Sequence, residues 1–182
     1  MKVKNFRVEI EIPEGVSVEL KDGTLAIKGE KGEVTREFID PIIKLSKEDS
    51  KIVISAPVAT KREKKKANTF AAHIRNMIRG TTDGHKYVLK ICSGHFPMNV
   101  SVSGNEFIVK NLLGEKYPRK LKIRENVKVS VQGSEVIVES VYKEAAGQTA
   151  ADIERLTRRP GYDKRIFQDG IYIINKDGKE IK

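Results

Sequence analysis

The chain has 182 residues and a formal net charge of +10, room for one ordinary domain or two small ones. Hydrophobic residues make up 38%, enough for a packed core, which excludes wholesale disorder. A pI near 9.6 favours a polyanionic partner, and no apolar run approaches the ~20 residues of a membrane-spanning helix.

The opening segment, MKVKNFRVEIEIP, reads as a strand and lacks the apolar stretch of a signal peptide. In residues 7–12, Val8, Ile10 and Ile12 alternate with Arg7, Glu9 and Glu11, the pattern of a half-buried strand. Residues 16–20 continue it to Asp22-Gly23, a hairpin turn whose residues tolerate positive φ. Residues 24–28 return, and Val34, Arg36 and Phe38 mark another strand. Residues 42–45 and 51–55 flank a second hairpin at residues 47–50. Thr60 and Glu63 form a capping box. Ala67, Phe70, Ala71, Ile74, Met77 and Ile78 then fall on one face of a helix that Gly80 is expected to end.

The plan then repeats. Residues 12–18 (IPEGVSV) resemble residues 96–102 (FPMNVSV), and residues 25–28 (LAIK) resemble residues 107–110 (FIVK). The two helices echo each other in NTFAA and QTAAD. A period this long marks a duplicated domain, not a solenoid. In the second copy residues 85–92, 100–102, 107–110, 117–123, 127–131 and 136–141 read as strands, and residues 143–157 as a helix with Ala146, Thr149, Ala150, Ile153 and Leu156 inward. Pro160 stops that helix. Asp177-Gly178 is a last turn that pairs residues 171–174 with Glu180-Ile181. The expected fold is α+β: two tandem copies, 1–82 and 83–182, each an antiparallel or mixed sheet covered on one face by a single helix. A basic C-terminal tail, about 158–182, completes it.

Patterns for phosphate loops, zinc motifs and nucleophile elbows are absent from the sequence. Cys92 alone cannot form an intrachain disulfide, which fits a reducing cytoplasm. Cys92, His95 and His85 offer three ligands where zinc wants about four, so neither metal nor cofactor is expected and His95 is expected to be dispensable for binding. Asp163 and Asp169 could form a catalytic pair, but the neighbouring Lys164 and Arg165 favour structural salt bridges.

Basic clusters make the stronger case. Lys61, Arg62, Lys64, Lys65 and Lys66 open the first helix, the end whose dipole prefers negative charge. Lys116, Arg119, Lys120, Lys122 and Arg124 follow with no acid between them, and alternation puts Lys120, Lys122 and Arg124 on one strand face. The densest cluster is Arg155, Arg158, Arg159, Lys164 and Arg165 against Asp163, interleaved with Tyr162 and Phe167 around Pro160-Gly161. Cations neutralise phosphates, and rings stack on bases or shape a loop. The alternative is a segment packed on its own sheet with its charges solvated.

The duplicated α+β unit and the tail PGYDKRIFQDGIYI resemble the large-subunit ribosomal protein six family in its archaeal and eukaryotic form. The resemblance covers essentially the whole chain. It implies a non-enzymatic constituent of the cytoplasmic large ribosomal subunit, bound to large-subunit ribosomal RNA near the sarcin–ricin loop and the base of the factor-recruiting stalk. Neighbouring ribosomal proteins would be its other partners, with no membrane and no small-molecule substrate. Carried over, Pro160, Gly161, Tyr162, Lys164 and Arg165 would lie in the RNA-gripping tail. The rival readings are an RNA-binding or RNA-processing protein outside the ribosome and an RNA-modifying enzyme.

Overall fold

The computed structural model describes residues 3–163 and 165–181. The chain divides into two compact units, residues 1–84 and 85–182. The first contains β1 (Val3–Glu11), β2 (Ser17–Lys21), β3 (Thr24–Gly29), β4 (Gly32–Glu37), β5 (Lys44–Glu48), β6 (Lys51–Ala59) and α1 (Lys61–Thr82). The second contains β7 (His85–Cys92), β8 (Asn99–Ser103), β9 (Glu106–Lys110), β10 (Arg119–Lys122), β11 (Val127–Gln132), β12 (Glu135–Ser140), α2 (Lys143–Leu156), β13 (Gly170–Lys176) and β14 (Lys179–Glu180). Each unit is thus α+β with one α-helix, as expected. Its strands form two antiparallel sheets, not one continuous sheet.

In the first unit the sheets run β1-β6-β5 and β2-β3-β4. Asp22 and Gly23 take φ of 47° and 79° and close the β2–β3 hairpin, as the mirror-image turn requires. The single helix α1 packs against strands of both sheets, burying Ala67, Ala71, Ile74 and Met77 on Leu25, Ile27, Ile52 and Ile54. Its capping box is present: Thr60 accepts from the Arg62 amide, and the Glu63 carboxylate accepts from the Thr60 amide and hydroxyl.

Gly80 does not end α1. It is buried inside the last turn, and the helix continues to Thr82. Gly84, at φ 78°, is the left-handed residue past the end, and its amide reaches back to the Arg79 carbonyl, the role a glycine takes beyond a C-cap. The extension is held by the β3–β4 turn: Lys31 donates its amide to the Thr81 carbonyl at 2.9 Å. A Cβ on Gly29 would lie 2.7 Å from that carbonyl oxygen, so only glycine permits the approach.

The loop after β4 is tied to α1 by Asp40. Its carboxylate accepts from Lys66 at 2.6 Å and from the amides of Ile42 and Ile43 at 2.9 and 3.1 Å. The Lys66 hydrogen bond first, then the Ile42 amide, hold its pKa at about 2 against burial, which raises it. The folded value lies below the unfolded one, so this stabilisation is complete above about pH 4 and is lost as pH falls towards 2. Because Lys66 is half exposed, solvent screening limits it to about 1 kcal/mol. Asp40→Asn is expected to lower the melting temperature at pH 7 and to match the parent near pH 2. Equal losses at both pH values would contradict this account.

The second unit repeats the topology and adds to it. Sheet β10-β9-β8 corresponds to β2-β3-β4, and β11-β12-β7 corresponds to β5-β6-β1. The addition is β13, which pairs with the free edge of β7 from Gly170–Cys92 to Lys176–Tyr87, with β14 beyond it. Asp177 and Gly178, at φ 54° and 87°, make the turn, and the Ile181 amide bonds the Ile174 carbonyl. Residues 170–180 are therefore sheet, not free tail, and Ile171 is fully buried. Helix α2 lays Ala146, Thr149, Ala150 and Ile153 on the core of Leu89, Phe107, Val136 and Val138. Ala72 and Ala151, beside the inward alanines, are respectively exposed and half-buried. Among the described residues, no helix is long and apolar enough to cross a membrane.

Candidate nucleic-acid interface

Because β13 pairs with β7, the chain leaving α2 must return to Gly170 opposite Cys92. It does so as a loop, residues 157–169, against the segment that follows β7. Thr157 caps α2: its hydroxyl donates to the Glu154 carbonyl and accepts from the Ile171 amide at 2.9 Å. Arg119 reaches the same end. Its guanidinium donates to the Leu156 and Arg158 carbonyls at 2.6 and 3.3 Å and forks onto Glu115 at 2.7 and 2.8 Å. The Arg119 hydrogen bonds hold the Glu115 carboxyl below the usual carboxylate range. Cations suit a helix C-terminus, where unsatisfied carbonyls accumulate.

Past Pro160, Gly161 turns the chain at φ 83°. The Asp163 carbonyl accepts the amides of Ile166 and Phe167, and its carboxylate accepts from Arg165 at 2.8 Å. A row of rings follows. Arg159 lies over Tyr162 at 4.5 Å, Tyr162 meets Phe167 edge-on at 4.9 Å, and Phe167 stacks on His95 at 4.9 Å. Asp169 anchors the row. Its carboxylate accepts from the Gly94 and His95 amides at 2.8 and 3.0 Å, and pairs with His95 Nδ1 at 2.6 Å. Burial pushes the Asp169 carboxyl up, but donation from the His95 backbone, its ring and the Gly94 backbone leaves it below the usual range. Between this loop and α2 lies a cavity of about 390 Å³ lined by Arg155, Arg158, Arg159, Tyr162, Phe167 and Tyr172, among others.

The structure brings Arg155, Arg158, Arg159, Tyr162 and Phe167 to one cavity and separates the cations by what they already bind. Arg155 and Arg158 are exposed and make no ion pair among the described residues. Arg159 is shared between Tyr162 and Glu115, 3.7 Å away. Arg165 is paired with Asp163 in solvent. Lys164 lies outside the described residues. Pro160 and Gly161 are exposed in the turn.

In the second cluster, Lys120, Lys122 and Arg124 are all exposed, opposite half-buried Leu121 and buried Ile123. Lys120 pairs with Glu106 at 3.2 Å and Arg124 with Asp152 at 2.9 Å. Lys116 and Lys122 have no ion pair among the described residues. Arg119 is a tie between β10 and the end of α2; its fork is occupied.

Three expectations change. Asp169 is held by Gly94 and His95, while Arg165 pairs with Asp163. His95 is part of the loop's support, not a bystander. Tyr117 precedes β10, does not belong to it, and is 85% exposed beside Lys116. It is a contact candidate that the sequence reading passed over, and Pro118 after it was the available signal. His85 is buried at the other end of β7, bonded to Asp177 at 3.0 Å.

Taken together, the chain is a basic, tandemly duplicated α+β protein whose second unit carries an added strand and a cation-lined loop. A family model described as "Ribosomal protein L6" matches residues 12–84 and 96–170, one stretch in each unit. "Large ribosomal subunit protein uL6" of Sulfurisphaera tokodaii is 46% identical over 178 residues, 97% of this chain and 96% of that protein. The protein of the same name from Methanococcus vannielii is 46% identical over 174 residues, 96% of each. The chain belongs to the ribosomal protein L6 family.

Proposed function

We propose that this protein is a structural constituent of the large ribosomal subunit in the cytoplasm and that its second unit binds large-subunit ribosomal RNA. Family membership supports the ribosomal role. The observation that carries the binding face is the pair of exposed guanidiniums of Arg155, in the last turn of α2, and Arg158, just past its end, which make no ion pair among the described residues and stand beside an aromatic-walled cavity. Arg165, Lys116, Lys122 and Tyr117 extend the face towards phosphates and bases. Lys120 and Arg124 join it by exchanging their surface ion pairs for phosphate. The bound RNA is near the sarcin–ricin loop and the stalk base, the neighbourhood the resemblance implies, with stalk-base proteins adjacent. No step of chemistry is assigned: Asp169 is fully engaged and Asp163 is paired with Arg165.

Sucrose-gradient sedimentation of cell lysate tests this reading. The chain is expected to co-migrate with the large subunit at one copy per particle and to stay bound in a high-salt wash. Recovery only at the top of the gradient, or only with precursor particles, would contradict it.

A further inference from the structure

We infer that the cavity beside α2 receives one unpaired nucleotide of the bound RNA, base inside and phosphate at the rim. The inference rests on the RNA-binding reading and adds a mode of recognition to it. At about 390 Å³, the cavity falls in the range of small-ligand pockets. Gly170 packs closely on two of its lining residues: a Cβ there would meet the Tyr172 ring and Thr157 Oγ1 at 3.3–3.4 Å. Tyr162 and Phe167 stand edge to face in the wall; Arg159 covers one face of Tyr162 and His95 one face of Phe167, so a base would stack on the ring face these contacts leave open. Arg155, Arg158 and Arg159 line the same cavity, supplying cations for the flanking phosphates.

The polar groups inside suit a base. Glu154 also lines the cavity; one of its oxygens accepts from the Ile173 amide at 3.3 Å, leaving the other as an acceptor. The Tyr172 phenol, which partial burial shifts further upward from its usual value, is a donor. A carboxylate acceptor favours a base with an exocyclic amino group over uracil. Three guanidiniums suit the phosphates on either side of an unpaired nucleotide.

Ala151 lines the cavity from α2, and leucine there fills space without removing charge or helix propensity. Full-length Ala151→Leu is expected to melt like the parent and to bind large-subunit RNA roughly ten- to a hundredfold more weakly, the worth of one stacked base, with an unchanged salt slope. In amide-resolved NMR of the full chain, 5′-AMP, 5′-CMP and 5′-GMP should shift Ala151, Phe167 and Tyr172, with 5′-UMP weaker and inorganic phosphate inert. Those shifts should vanish in Ala151→Leu. Unchanged RNA affinity in the variant, or equal shifts with phosphate, would overturn the inference while leaving RNA binding standing. A parent chain that binds no large-subunit RNA would overturn the reading beneath it.

Discussion

Asp169→Ala is expected to loosen the whole 157–169 loop, costing about 2 kcal/mol of stability in the second unit and at least tenfold in affinity for large-subunit RNA. The carboxylate, 2% exposed, ties the loop to Gly94 and His95 through three hydrogen bonds. Removing it orphans two amides and an imidazole, each deprived of a charge-assisted bond. Solvent reaches Gly94 and His95, which is why the cost stays near 2 kcal/mol rather than the sum of three such bonds. The affinity loss follows from order: Arg159, Tyr162, Phe167 and His95 form one stack resting on Asp169, and a loosened stack must be ordered on binding. Urea unfolding and filter binding on the same preparation measure both effects. Asp163→Ala is the control, because its partner Arg165 is 90% exposed and solvent screens such a pair. Equal losses in the two variants would refute the anchoring role of Asp169.

Arg155→Ala with Arg158→Ala is expected to weaken RNA binding about a hundredfold at low salt and to flatten the plot of log affinity against log salt by about two units. Two charge-assisted phosphate contacts at about 1.5 kcal/mol each give that factor, and each lost contact removes about one unit of slope. Lys64→Ala with Lys65→Ala removes the same charge, and its effect should be smaller. Lys64 is 5.8 Å over the Phe6 ring, and neither lysine is among the residues lining the cavity beside α2. Arg165→Ala should also cost less than Arg158→Ala, since Asp163 already neutralises Arg165. Filter binding across several salt concentrations decides. Equal losses for the two double variants would mean a diffuse field rather than a defined face.

Much of this fold was legible in the residues because its signals are local. Asp22-Gly23 and Asp177-Gly178 both close hairpins at positive φ. The apolar stripes of α1 and α2 are buried as their spacing implies. The duplication, seen as similar strings, returned as matching strand orders. What could not be read depends on pairing between distant segments. The run of Ile and Tyr at residues 171–174 marks a strand but not that its partner is β7, and that pairing carries Asp169 to Gly94, 75 residues away. Gly80 was misjudged because a mid-helix glycine and a terminating one look alike until the Lys31–Thr81 contact is seen. The basic clusters were visible, but a count of charges cannot separate Arg158, which makes no ion pair among the described residues, from Arg119, whose fork is filled by Glu115 and two carbonyls.

Ultraviolet crosslinking of the chain within intact large subunits, with mass spectrometry of the RNA-linked peptides, tests the central claim most directly. The account predicts crosslinks concentrated in peptides spanning residues 155–167, with a second set at Tyr117. Crosslinks confined to the first unit, around residues 61–66, with none between 155 and 167, would contradict it.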